Sequence, residues 1–81
     1  MTEESWDAID QYIQLAVEEA REGMHSGKGG PFGAVIVKDG KVLGKAYNEV
    51  LGSCDPTAHA EVLAIRRASD TLHDHDLSGC V

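Results

Sequence analysis

The stretch that most limits how this chain can fold is Gly33-Ala34-Val35-Ile36-Val37-Lys38, followed at once by Asp39-Gly40. A short run of this kind, rich in β-branched side chains and without polar alternation, reads as a strand buried on both faces. Such a strand needs a packed layer above and below and a neighbour on each edge. Asp39-Gly40 suits a two-residue turn with positive φ, so the chain returns directly as an antiparallel partner. Lys41 through Asn48 is that partner. Simple alternation puts Val42, Gly44, Ala46 and Asn48 on one face and Leu43, Lys45 and Tyr47 on the other. Gly44 and Ala46 are small enough for a helix or a ligand to lie against them.

Helical patterns flank the hairpin. Over residues 5–24, Trp6, Ile9, Ile13, Val17, Ala20 and Met24 recur at steps of three and four, with Tyr12 and Ala16 widening the stripe. Asp7, Asp10, Gln14, Glu18, Arg21 and Glu22 fall mostly away from it, which describes an amphipathic helix with one buried face. Ser5 is the expected N-cap, Asp7 suits the first turn, and Gly27 ends the helix. After a loop over Leu51-Gly52-Ser53-Cys54, a second helix is expected from about Thr57 to Ser69. Either Asp55-Pro56 opens it or Thr57 caps it one step later. Ala60, Leu63, Ala64 and Ala68 form its buried stripe, with Val62 and Ile65 beside it, and Arg66 and Arg67 come near its C-terminal end. Asp70 to Gly79 reads as a polar loop, and Cys80-Val81 as the first step of another strand. The order is α-β-β-α and the start of a third strand. The apolar strand has a full partner on one side only, so its other edge is an expected pairing site and a homodimer is anticipated.

Eighty-one residues make one small domain. Fourteen acidic against seven basic residues give a net charge of −7, which argues against a nucleic-acid groove. Lys28, Lys38, Lys41 and Lys45 are scattered and build no basic stripe. Ala34-Val35-Ile36-Val37 is far too short to cross a bilayer. Met1 to Glu4 is acidic and offers no basic n-region, so a cytoplasmic address is expected. In that setting Cys54 and Cys80 are free thiols. His25, His73 and His75 read as solvated surface.

His59-Ala60-Glu61 is different because of where it stands. In mid-helix, two side chains at this spacing point about 200° apart and serve no common site. In the first turn the restriction relaxes, and both can converge over the helix end. Unpaired N–H groups and the positive end of the helix dipole are also found there.

Gly29-Gly30-Pro31-Phe32-Gly33-Ala34, the Asp39-Gly40 hairpin with Asn48 at its end, and Asp55-Pro56-Thr57-Ala58-His59-Ala60-Glu61 form a specific set. Residues 27–68 together resemble the cytidine-deaminase-like superfamily, and within it the bacterial guanine deaminases. The tRNA adenosine deaminases share the run from Asp55 to Glu61. The Gly-Gly-Pro-Phe-Gly-Ala run is similar to the guanine branch, whereas the tRNA branch more often carries Pro-Val-Gly there.

The resemblance implies an α/β chain with a three-layer α-β-α fold, here shortened to α-β-β-α plus the beginning of a third strand. It implies a Zn²⁺ site in which His59 is one ligand and two Cys of a Pro-Cys-x-x-Cys motif are the others. The metal would bring the pKa of a bound water to about 7, and Glu61 would shuttle its protons. Asn48 would hydrogen-bond the purine, Phe32 would stack on it, and Ala60 would lend its backbone N–H. Each of these three also has a structural reading: Asn48 as a turn residue, Phe32 as a core plug after Pro31, and Ala60 as helix filler. The reaction implied is hydrolysis of guanine to xanthine and ammonia, with a small purine as the partner. No Pro-Cys-x-x-Cys occurs in the sequence, and Cys54 and Cys80 lack its close spacing. Residues 1–81 are therefore expected to be a single incomplete deaminase domain, with one of three zinc ligands and no activity alone. A tRNA adenosine or nucleoside deaminase fragment is the alternative within the enzyme class. A non-enzymatic remnant that self-associates is the alternative outside it.

Overall fold

The computed structural model describes residues 6–81. The expected Ser5 cap and the side chain of Trp6 lie outside what is described. Helix α1 spans Trp6–Ser26. Ser26 Oγ donates back to the Gly23 carbonyl at 2.8 Å, and Gly27, at φ 73°, turns the chain out of the helix. Strands β1 (Gly33–Lys38) and β2 (Lys41–Tyr47) form an antiparallel hairpin. Asp39 and Gly40 both take positive φ (50° and 77°), the geometry that the Asp-Gly pair favours.

The register corrects the expected faces of β2. Gly33 stands opposite Tyr47 and Ile36 opposite Gly44, but Val37 pairs with Val42. Leu43 is thus an extra residue, a β-bulge. Directly opposed residues share a face, so Val42 belongs with Val35 and Val37 and not with Gly44 and Ala46. Strict alternation fails where one strand holds an additional residue.

Each face of the hairpin carries a helix, with backbone pressed on backbone. On one side α1 crosses at Gly33, where a Cβ would collide with the Ala16 carbonyl oxygen; Gly23 lies against the Tyr47 ring. On the other, α3 (Ala60–Leu72) crosses at Gly44. A methyl group there would sit 2.5 Å from the Ala64 oxygen and 2.8 Å from the Ala68 nitrogen. The result is three layers, α-β-α.

Contact at this range selects small residues. Among the described residues, the buried hydrophobic ones apart from Val37 are all alanines: Ala46, Ala58, Ala60, Ala64 and Ala68. The expected stripe of α1 is corrected accordingly. Ile13, Val17 and Met24 are exposed, while Glu19 and Gly23 are buried and Ala16 and Ala20 half-buried. The helix has rotated its small residues toward Gly33 and Tyr47. Strand β1 is also less enclosed than its composition suggests. Only Val37 is fully buried, because a two-stranded sheet leaves much of both faces uncovered.

Three local expectations change. The loop at 51–54 contains a one-turn helix, α2 (Val50–Ser53), closed by Cys54 at φ 54°. Helix α3 starts at Ala60 and not near Thr57, because Asp55 is spent on a turn. Its Oδ1 accepts from Thr57 N–H at 2.8 Å and from Thr57 Oγ1 at 2.7 Å. The helix also runs on to Leu72, ending where His73 takes φ 54° and Asp74 N–H reaches the Ser69 carbonyl at 3.1 Å. Arg66 and Arg67 consequently lie in mid-helix, and no basic residue occupies the last turn. Beyond it the chain crosses to β1, where Val81 and Val37 exchange N–H···O bonds of 2.8 and 2.9 Å. That reciprocal pair has the pattern of a single antiparallel bridge to β1. No described helix is long and apolar enough to cross a membrane.

The Gly44 contact leaves no room for a side chain, since the opposing atoms are helix backbone. Gly44→Ala is expected to cost about 2–3 kcal/mol, on the order of 10 °C or more in Tm. Urea and thermal unfolding followed by circular dichroism would measure it; a change under about 0.5 kcal/mol contradicts the packing described.

Candidate active site

The Asp55 turn delivers the chain to α3. Ala58 N–H closes on the Asp55 carbonyl at 3.1 Å, and Ala58 itself is buried. His59 is the N-cap, extended at φ −72° and ψ 149°, and its side chain makes no capping hydrogen bond. The imidazole is therefore free to project beyond the helix end. Glu61 lies in the first turn, and its Oε1 comes within 3.6 Å of His59 Nδ1. Their side chains are 55% and 66% exposed. Ala60 between them is buried and anchors the turn. The first helical amide with a backbone acceptor is that of Leu63, bonded to His59 O at 3.0 Å; the N–H groups of Ala60, Glu61 and Val62 precede it.

Asn48, 8% exposed, is the hub of the opposite wall. Its backbone N–H donates to Phe32 O at 3.1 Å, and the next residue's N–H, that of Glu49, donates to Ala58 O at 3.0 Å. One dipeptide thus ties the loop before β1 to the segment entering α3. The side-chain oxygen of Asn48 accepts Val50 N–H at 3.1 Å and starts α2, so the residue does serve a turn. With that oxygen engaged, the NH₂ end is the one left to donate. Gly29 lies so close to the Asn48 carbonyl and side-chain oxygens that a Cβ would overlap both. Gly52 N–H fastens the same loop through Lys28 O at 2.7 Å.

Phe32 is 61% exposed and plugs no core among the described residues. The backbone links through Asn48 and Glu49 set it, Asn48 and the His59–Glu61 pair at one end of the sheet. Sequence reasoning passed over two contributors. Asp-Pro-Thr is an Asx-turn signal as much as a helix start, and that pattern was there to be read. Arg67 was not legible: its guanidinium bonds Lys45 O at 2.7 Å and Glu49 Oε2 at 3.3 Å, bracing the hub from α3.

A catalytic zinc site takes three protein ligands and a water. Among the described residues, no three His, Cys, Asp or Glu side chains are grouped to hold a metal. His59 contributes one nitrogen. Cys54 and Cys80 are free thiols; Cys54 Sγ is 3.9 Å from the Leu51 carbonyl, and Cys80 adjoins Val81 at the hairpin-turn end of β1, away from His59. The donor set does not fit a complete zinc site.

A family model described as the zinc-binding region of cytidine and deoxycytidylate deaminases matches residues 6–81. The chain is 50% identical over 72 residues to a guanine deaminase of Bacillus subtilis (strain 168), covering 89% of this chain and 46% of that protein. It is 42% identical over 71 residues to a tRNA-specific adenosine deaminase of Aquifex aeolicus (strain VF5), covering 88% and 46%. The X-ray structure of the Bacillus subtilis guanine deaminase aligns at a TM-score of 0.84 and 51% identity, over 88% of this chain and 45% of that one. The chain spans about half the length of the relatives it matches.

The Thr57 N–H, and after it the Thr57 hydroxyl, hold the Asp55 carboxyl below the usual carboxylate range. Ser78, hydroxyl first, does the same for Asp76. A folded-state pKa below the unfolded one means stability that is complete above the unfolded value, about 3.9, and lost as pH falls through the folded value. Asp55→Asn removes one of these two titrations. Urea midpoints measured from pH 6 down to pH 2 are expected to fall less steeply in that variant, with the slope due to Asp76 remaining; an unchanged acid limb contradicts the assignment.

Proposed function

This chain belongs to the cytidine and deoxycytidylate deaminase zinc-binding family, and from that premise we propose that it carries the His–Glu half of a purine deaminase site, with guanine as the purine. The observation that supports this most directly is the convergence of His59 and Glu61 within 3.6 Å at the opening of α3, beside the Asn48 hub. Identity to the Bacillus guanine deaminase, and the Gly29-to-Ala34 run with its exposed Phe32, favour guanine. A net charge of −7 weighs against a tRNA.

Each residue has a task that its position suits. The open face of Phe32 is a stacking platform for a planar base. The Asn48 NH₂ group and the Ala60 N–H are donors directed at ring acceptors. Hydrolytic deamination adds water at the amino-bearing carbon and breaks the C–N bond, releasing ammonia. One proton of the water must pass to a ring nitrogen, and the second, from the new carbon-bound hydroxyl, to the departing amine, leaving the carbonyl. The Glu61 carboxylate, solvent-accessible and beside the helix end, is the group for both transfers. His59 is the metal-binding nitrogen of this half. One imidazole does not constitute a zinc site, so the metal-dependent part of the reaction requires donors beyond those grouped among the described residues.

The second reading, a tRNA adenosine deaminase half, draws on the shared Asp55-to-Glu61 motif and the Aquifex relative. One set of measurements on the purified 81-residue chain separates the cases. Ammonia release from guanine is expected to be undetectable and zinc content well below one per chain. Guanine is expected to shift the amide resonances of Phe32, Asn48 and Ala60, with the response lost in Asn48→Ala. Stoichiometric zinc with turnover overturns the half-site reading. Shifts produced by an anticodon stem-loop and not by guanine, steeply weakened by salt, move the assignment to the tRNA branch.

A further inference from the structure

Glu49, the neighbour of Asn48, is held from three directions. Its N–H donates to Ala58 O at 3.0 Å, on the approach to His59. Its carbonyl accepts Ser53 N–H at 2.9 Å and Ser53 Oγ at 2.7 Å, at the far end of α2. Its Oε2 accepts Arg67 Nη2 at 3.3 Å, from the middle of α3. Among the described residues three ion-pair contacts form. His59–Glu61 and Asp74–His75 join residues one or two apart in the chain, and only Arg67–Glu49 spans the fold. The other arm of Arg67, Nη1, donates to Lys45 O at 2.7 Å. The planar fork thus grips the chain both before and after Asn48, which a point-charged lysine could not do in the same geometry.

Glu49 is also the N-cap of α2, yet its side chain makes no capping bond. That task falls to Asn48, whose Oδ1 accepts Val50 N–H at 3.1 Å. The division of labour decides what Asn48 presents to the site. With the oxygen on Val50 the NH₂ end is the donor; a reversed amide would set NH₂ against N–H and offer an acceptor instead. We propose that Glu49 and Arg67 are positioning residues for Asn48. The guanidinium draws the Glu49 carboxylate toward α3, which fixes the backbone from Asn48 to Val50 and with it the direction in which the Asn48 amide donates. Neither residue touches the purine; both act through Asn48. What that donor meets rests on the purine reading above, whereas how it is held rests on the structure alone.

The Arg67 side chain is 48% exposed, so the pair contributes little to global stability, and its loss is expected to register at Asn48 and not in unfolding. Asn48 is the only asparagine in the chain, so its side-chain amide gives one assignable pair of proton resonances. In the unliganded 81-residue chain, Glu49→Ala and Arg67→Ala are each expected to shift or broaden that pair, with Tm within about 3 °C of the unsubstituted chain. Glu49→Gln keeps an oxygen for Arg67 and is expected to restore it. Glu49→Ala added to Arg67→Ala is expected to change nothing further, because the two act through one bond. Thr71→Ala removes the adjacent α3 bond, to Leu43 O at 3.0 Å, and is expected to leave the Asn48 pair in place. Guanine binding is expected to weaken at least threefold in Glu49→Ala and Arg67→Ala and to return in Glu49→Gln. An Asn48 amide unmoved by either alanine variant, or moved as far by Thr71→Ala, overturns the proposal. Guanine held as tightly by Glu49→Ala as by the unsubstituted chain overturns it too and leaves the purine reading standing. If the amide responds as expected but guanine binds none of the chains, the positioning of Asn48 stands and the purine reading fails.

Discussion

The structure depends on two places where a helix touches the sheet with no side chain between them. Gly33 lies on the backbone of α1 at Ala16, and Gly44 on the backbone of α3 at Ala64 and Ala68. These contacts bring both helices close to a hairpin that would be marginal by itself. They also explain a core made almost wholly of alanine. When helix and strand approach this closely, larger aliphatic side chains have no room at the crossing and move to its flanks. Ile13, Val17 and Ile65 are found there, partly in solvent.

The same closeness gives the candidate site its geometry. Because α3 is held against Gly44, its first turn comes level with the end of β2, where Asn48 and Glu49 sit. Two backbone bonds then suffice to connect Phe32, Asn48 and the approach to His59. Arg67 adds a brace from the body of the helix to Glu49. The Asp55 turn contributes by taking the Thr57 amide out of the helix, so that His59 becomes the cap and its imidazole faces outward next to the Glu61 carboxylate. Placement of the pair therefore follows from a turn and a packing contact. It does not require the two side chains to be adjacent on a regular helix.

The two edges of the sheet differ. One sheet edge is closed by Arg67 and Thr71, and the other carries a single rung at Val81. Among the described residues no group of three metal donors forms, and no thiolate lies beside His59.

The sequence by itself determined the two long helices, the two strands, their order and the turn that joins the strands, though not the one-turn helix α2. It also located His-Ala-Glu at a helix opening, since these features rest on local periodicity and on the φ preferences of Asp and Gly. Membership of the deaminase family was legible in the spacing of a few short motifs. Only the tertiary structure decided which face each element turned inward. The bulge at Leu43 moved Val42 across the sheet, the contact at Gly33 rotated α1 onto its small residues, and Asp55 was drawn into a turn that shifted the start of α3. The bonds of Arg67 and Thr71 to β2 depend on two segments more than twenty residues apart meeting at a fixed distance. Periodicity reports how apolar each position is. It does not report how near the next layer will come, and at backbone-contact distance size outranks hydrophobicity.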